Sequence, residues 1–85
     1  MYEVIYKKSA VKTMRKIPQG IRVKLVSILR AIAVDPEAYK GDWKALKGSS
    51  YWRLRVGDYR AICDVRDEER VILVLKTGPR GGIYK

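Results

Sequence analysis

Trp52-Arg53-Leu54-Arg55-Val56-Gly57-Asp58-Tyr59-Arg60-Ala61-Ile62-Cys63 is the stretch that decides the fold. It reads as two alternating strands joined by a two-residue Gly-Asp turn. In such a hairpin Val56 pairs with Tyr59, Arg55 with Arg60, Leu54 with Ala61 and Arg53 with Ile62. Side chains alternate faces along a strand, so Trp52, Leu54, Val56, Tyr59, Ala61 and Cys63 share one face. Arg53, Arg55 and Arg60 share the other, with Arg55 and Arg60 as direct cross-strand neighbours. Like charges placed opposite one another destabilise a sheet. A fold that keeps this pair uses it to hold something strongly anionic.

Working outward, Val71-Ile72-Leu73-Val74-Leu75 is a strand apolar on both faces, which places it centrally in the sheet. Tyr2-Glu3-Val4-Ile5-Tyr6 is a short strand by composition. Ser9 is the expected N-cap of a helix through about Ile17, with Ala10, Met14 and Ile17 on one stripe. Pro18-Gln19-Gly20 interrupts it, and a second helix is expected from Gln19 to Val34, carrying Ile21, Leu25, Ile28, Leu29 and Ile32 on its apolar face. The short break makes the two helices an antiparallel hairpin. Asp35-Pro36 ends the helical part, residues 37–50 read as a loop, and Thr77 to Lys85 as a glycine-rich tail. The sum is an α+β fold, β-α-α-β-β-β, a single domain over residues 1–85 with the helical hairpin packed on one face of an antiparallel sheet. The arginines then stand on the opposite, open face, with Arg80 and Tyr84 in a tail able to close over it.

Composition narrows the partners. The chain has 85 residues and a formal net charge of +10, which suits nucleic acid, an anionic membrane surface or an acidic protein. Residues 1–34 hold eight Lys/Arg against one acid. No run of eighteen apolar residues and no signal-peptide pattern is present, so the reading is cytoplasmic with no membrane partner. With one cysteine and no histidine, neither an internal disulfide nor a zinc or haem site is expected, and no cofactor. Cys63, on the apolar strand face, reads as a small core residue.

Arginine binds phosphate bidentately and stays charged at any cellular pH. Several around one phosphodiester would stabilise charge developing on the non-bridging oxygens during cleavage. In RNA the nucleophile is then the substrate's own 2′-OH, which needs a base, while the departing 5′ oxygen needs an acid. Tyr84 is the titratable hydroxyl of the tail, and neighbouring arginines favour its phenolate. A plainer reading makes Arg53, Arg55 and Arg60 a solvated sheet face, with Arg60 paired to Asp58 and Tyr84 a packing anchor. Asp64, Asp67, Glu68 and Glu69 read as a solvated turn.

Leu46-Lys47-Gly48, then Trp52 to Arg60, an acidic turn, an apolar strand and Gly78-Pro79-Arg80 before Tyr84 resemble the RelE/ParE toxin superfamily, and within it the RelE branch. The resemblance covers essentially the whole chain. It implies a toxin of a type II toxin–antitoxin system, a ribosome-dependent endoribonuclease that cuts mRNA in the decoding site through 2′-OH attack. The products are a 2′,3′-cyclic phosphate and a 5′-OH. It implies catalytic positions at Arg53, Arg55, Arg60, Arg80 and Tyr84. Some relatives have lysines where this chain has Arg53 and Arg55, one of them a candidate base. Arginine is too basic for that role, which leaves it to Tyr84 or to a group of the RNA or ribosome. The expected partners are an acidic antitoxin, the ribosome with its mRNA, and operator DNA only through the antitoxin. Lys7, Lys8, Lys12, Arg15, Lys16, Arg22, Lys47 and Lys76 are the expected contacts to RNA phosphates. The alternatives are a ParE-like inhibitor of DNA gyrase without nuclease chemistry, and a non-catalytic RNA-binding module.

Overall fold

A computed structural model describes residues 1–79 of the chain. In chain order the elements are β1 (Glu3–Tyr6), α1 (Lys8–Met14), α2 (Gln19–Val34), β2 (Trp43–Ala45), β3 (Tyr51–Val56), β4 (Tyr59–Arg66) and β5 (Val71–Pro79). They form one five-stranded sheet in the order β1-β5-β4-β3-β2. Neighbours from β2 to β5 are antiparallel, as expected, whereas β1 joins β5 in parallel. The helical hairpin between β1 and the rest carries the chain across the sheet, which a parallel pairing requires.

The arginine hairpin has the register read from sequence, Val56 opposite Tyr59 through Arg53 opposite Ile62. Gly57 has φ +58 while Asp58 does not enter the left-handed region, the pattern of a turn with glycine at its first central position. Central placement of the apolar strand also holds, since β5 lies between β1 and β4.

The core is one cluster between the helices and one sheet face. Ala10, Met14, Leu25, Leu29 and Ile32 meet Leu54, Ala61, Cys63, Ile72 and Val74, with Trp52 and Tyr59 partly buried against them. Trp43 and Trp52 stack at 5.0 Å between ring centroids. Thr77 is buried here as well, donating from Oγ1 to the Ala10 carbonyl at 3.2 Å and sharing a 2.7 Å hydrogen bond with Thr13 Oγ1. These bonds tie α1 to the end of β5.

Four local expectations need correction. Residues 43–45 are a strand, not loop, because Trp43 and Lys44 pair with Leu54 and Arg53; three residues are too few to show a period. Helix α1 ends at Met14, three residues before Ile17, although Ile17 is still buried. Its N-cap is Lys7, and Ser9 is already helical, its Oγ donating to the Leu75 carbonyl at 3.3 Å. Thr77 to Pro79 belong to β5 rather than to the tail.

Candidate functional site: a cationic face of the sheet

Strand parity builds the site. Leu54, Ala61, Cys63 and Val74 point to the helices, so their strand neighbours point away. One cross-strand row on the open face runs Lys44, Arg53, Ile62, Lys76, and the next runs Arg55, Arg60, Gly78. Lys76 reaches this face through an irregularity: Cys63 pairs with Val74 but Ile62 with Lys76, so Leu75 is an extra residue in β5. A bulge of this kind re-aims the residues beyond it. Unbroken alternation would put Lys76 on the core side with Ile72 and Val74. The bulge instead sends Thr77 into the core and Lys76 out beside the arginines.

Ile62 lies between Arg53 and Lys76, is 6% exposed, and is absent from the core cluster. It forms an apolar floor against which long cationic stems can lie while their heads stay wet. Arg53 Nη2 donates to Asp42 Oδ1 at 2.5 Å, and its buried Nε has no hydrogen-bond partner among the described residues. The Arg55 backbone N–H donates to the Asp42 carbonyl at 2.9 Å, which extends the β2 ladder and places Asp42 opposite Arg55. The Arg55 Nε donates to the Gly57 carbonyl at 3.3 Å. Asp64 differs from the solvated acid expected at the turn. It is 8% exposed on the open face, accepting from Ser50 Oγ and from Arg66 Nε.

Arg53, Arg55, Arg60 and Lys76 are thus brought together. Lys47 is not: it lies in the exposed turn between β2 and β3, at the end of β3 remote from Gly57. Lys7, Lys8, Lys12 and Arg15 are exposed and Arg22 half-buried, all on the helical side. Lys16, in the turn after α1, lines a cleft of about 420 Å³ with Tyr59, Thr77, Gly78 and Pro79, at the sheet end that carries Arg60. Arg80 and Tyr84 lie outside the described residues. Sequence reading missed Asp42, whose only signal was a lone acid before Trp43. It also assigned Lys76 to RNA contact without placing it on the arginine face.

The electrostatics favour an anion. Side chains directly opposite across strands have Cβ atoms about 4.5–5.5 Å apart, and two unit charges at about 4 Å repel by about 1 kcal/mol even in water. A phosphate between Arg55 and Arg60 would convert that repulsion into two charge-assisted contacts. Cys63 is no nucleophile, because burial pushes its thiol up to about 12. Tyr6, half-buried, is likewise pushed above the usual phenol range, first by desolvation. Among the described residues no group of three or more His, Cys, Asp or Glu side chains converges on a metal-sized site. No helix among them is long and apolar enough to cross a membrane.

Helices on one side of a mixed sheet and a cationic open face on the other define a small RelE-like α+β protein. The family model described as "ParE toxin of type II toxin-antitoxin system, parDE" matches residues 4–84. A chain of the archaeal RelE–RelB complex from Pyrococcus horikoshii OT3 superimposes with a TM-score of 0.81 at 30% identity, covering 95% of this chain and 97% of that one. A chain of the RelB–RelE antitoxin–toxin complex from Methanococcus jannaschii gives 0.78 at 28%, covering 94% of each. One from the intact E. coli RelBE toxin–antitoxin complex gives 0.76 at 26%, covering 93% and 96%. The chain belongs to the ParE toxin family of type II toxin–antitoxin systems, within the RelE/ParE superfamily and with the architecture of its RelE-like branch.

Proposed function

We propose that this toxin is a ribosome-dependent endoribonuclease, cutting mRNA in the decoding site by attack of a 2′-OH on the adjacent phosphate. The observation that carries the reading is the opposed Arg55–Arg60 pair, flanked by Arg53 and Lys76, on the face the helices leave open. Arg53, Arg55 and Arg60 hold the non-bridging oxygens and stabilise the charge of the phosphorane. Arg80 adds a further guanidinium and Tyr84 a proton-transferring hydroxyl from the carboxyl-terminal segment. The exposed cations Lys7, Lys8, Lys12, Arg15, Lys16 and Lys47, with Arg22, rest on ribosomal RNA phosphates, in an affinity that falls steeply with salt. The controlling partner is an acidic RelB-like antitoxin, supported by the RelB-containing complexes among the structural neighbours and by the net charge of +10; operator DNA is contacted only through it.

The test is incubation of the purified chain with mRNA-programmed ribosomes whose decoding site is empty. Expected products are a 2′,3′-cyclic phosphate and a 5′-OH, absent when ribosomes are omitted. A second reading, inhibition of DNA gyrase without nuclease chemistry, is favoured by the ParE description of the matching family. Blocked supercoiling together with intact ribosome-bound mRNA would decide for it.

A further inference from the structure

We propose that Asp42 is the general base of this toxin, taking the proton from the attacking 2′-OH; the inference rests on the cleavage reading above. The reaction needs a proton acceptor beside the phosphate, and the guanidinium groups of Arg53, Arg55 and Arg60 cannot be one. The chain has no histidine. Among the described residues the acids that share the arginine face are Glu3, Asp42 and Asp64, by strand parity. Glu3 sits on β1, at the far edge of the sheet. Asp64 has Oδ1 bonded by Ser50 and Oδ2 by Arg66, and the Arg53–Ile62 row separates it from Arg55 and Arg60. Asp58 lies at the exposed tip of the hairpin turn, past the strand ends.

Asp42 alone lies in the row of the opposed pair. Its carbonyl accepts the Arg55 N–H at 2.9 Å, and neighbouring strands run about 4.8 Å apart, so its side chain stands one strand from Arg55 and two from Arg60. Its carboxylate is oriented by the 2.5 Å contact from Arg53 to Oδ1 and keeps 35% of the side chain exposed, open to a ligand. The charged groups around it are Lys44 on its own strand, Arg53 and Arg55 on β3 and Arg60 on β4. These cations hold the phosphate next to the carboxylate.

The step balances with water as the proton donor. Asp42 accepts the 2′-OH proton, O2′ bonds to phosphorus, the P–O5′ bond breaks, and the 5′ oxygen leaves as a hydroxyl with a proton from solvent. Proton exchange with water then resets Asp42.

Single-turnover cleavage on programmed ribosomes tests the assignment. Asp42→Asn keeps an oxygen to accept from Arg53 but removes the base, and is expected to cut the rate about a hundredfold or more. Asp42→Glu is expected to stay within about tenfold of the wild-type rate, and both variants should bind programmed ribosomes as wild type does. In Asp42→Ser, added formate is expected to restore cleavage at least tenfold, a rescue that a purely positioning role would not give; this variant also stands in should Asp42→Asn fail to fold. Asp42→Asn at the wild-type rate, or Asp42→Ser slowed and not restored by formate, overturns the inference and leaves Asp42 as a positioning residue for Arg53. If wild type itself does not cleave, the parent reading falls first and this one with it.

Discussion

Lys76 stands directly across from Ile62, and Leu75 is the extra residue that permits it. Shifting a strand by one residue normally exchanges its two faces, yet here the shift is absorbed at one point. Deleting Leu75 therefore regularises the ladder without inverting Thr77 or Lys76. The expected outcome is a folded protein that has lost the half-buried Leu75 side chain, about 1 kcal/mol, and the Ser9 contact. Circular dichroism and thermal melting check it; an unfolded chain would show that β5 runs through this point without a bulge.

Arg55 and Arg60 oppose each other across β3 and β4, a like-charge pairing that costs the sheet. Arg55→Gln relieves a like-charge pair and is expected to raise stability by up to about 1 kcal/mol while slowing cleavage at least tenfold. Denaturant titration and single-turnover kinetics on the same preparation check both signs. A variant that is both less stable and fully active would assign Arg55 a structural role.

Thr77 secures α1 to the sheet. Thr77→Val removes the hydroxyl that bonds Thr13 and the Ala10 carbonyl in a buried setting, and the expected loss is about 1–3 kcal/mol. The double variant Thr13→Val, Thr77→Val should lose less than the sum of the single changes, because the partners share one bond.

The thiol of Cys63 gives a pH signature. Burial raises it from 9.0 to about 12 in the folded chain, so the unfolded chain releases the proton first as pH rises. The stability held by the protonated thiol is complete below about pH 9 and declines toward pH 12. Denaturation midpoints at neutral and alkaline pH check this, with Cys63→Ala showing a shallower decline. Alkylation of the native protein at neutral pH should be slow and should accelerate on unfolding.

Much of this was readable in the sequence. The hairpin register, the face bearing Arg53, Arg55 and Arg60, and the stripe of α2 follow from strict alternation, a Gly-Asp turn and a regular apolar spacing. The remainder lacked a local signal. Val71 to Leu75 is apolar on both faces, so no parity within it could betray the bulge that re-aims Lys76. The strand at Trp43 is set by pairing with β3 and by stacking on Trp52, both contacts made only in the folded chain. The role of Asp42 depends on a ladder bond to Arg55 across thirteen residues of sequence.

The carboxyl-terminal residues carry their own prediction. Arg80→Ala and Tyr84→Phe are each expected to slow single-turnover cleavage at least tenfold, about 1.4 kcal/mol of transition-state stabilisation. A double variant with full activity would remove both from the proposed machinery.

If guanidinium groups on the open face of one β-ribbon converge on a single phosphodiester, the Arg55→Ala, Arg60→Ala double variant loses cleavage while still folding. Its single-turnover rate at saturating toxin on programmed ribosomes is expected to fall at least a hundredfold, about 2.7 kcal/mol. Cleavage at the wild-type rate would show that the scissile phosphate is held elsewhere.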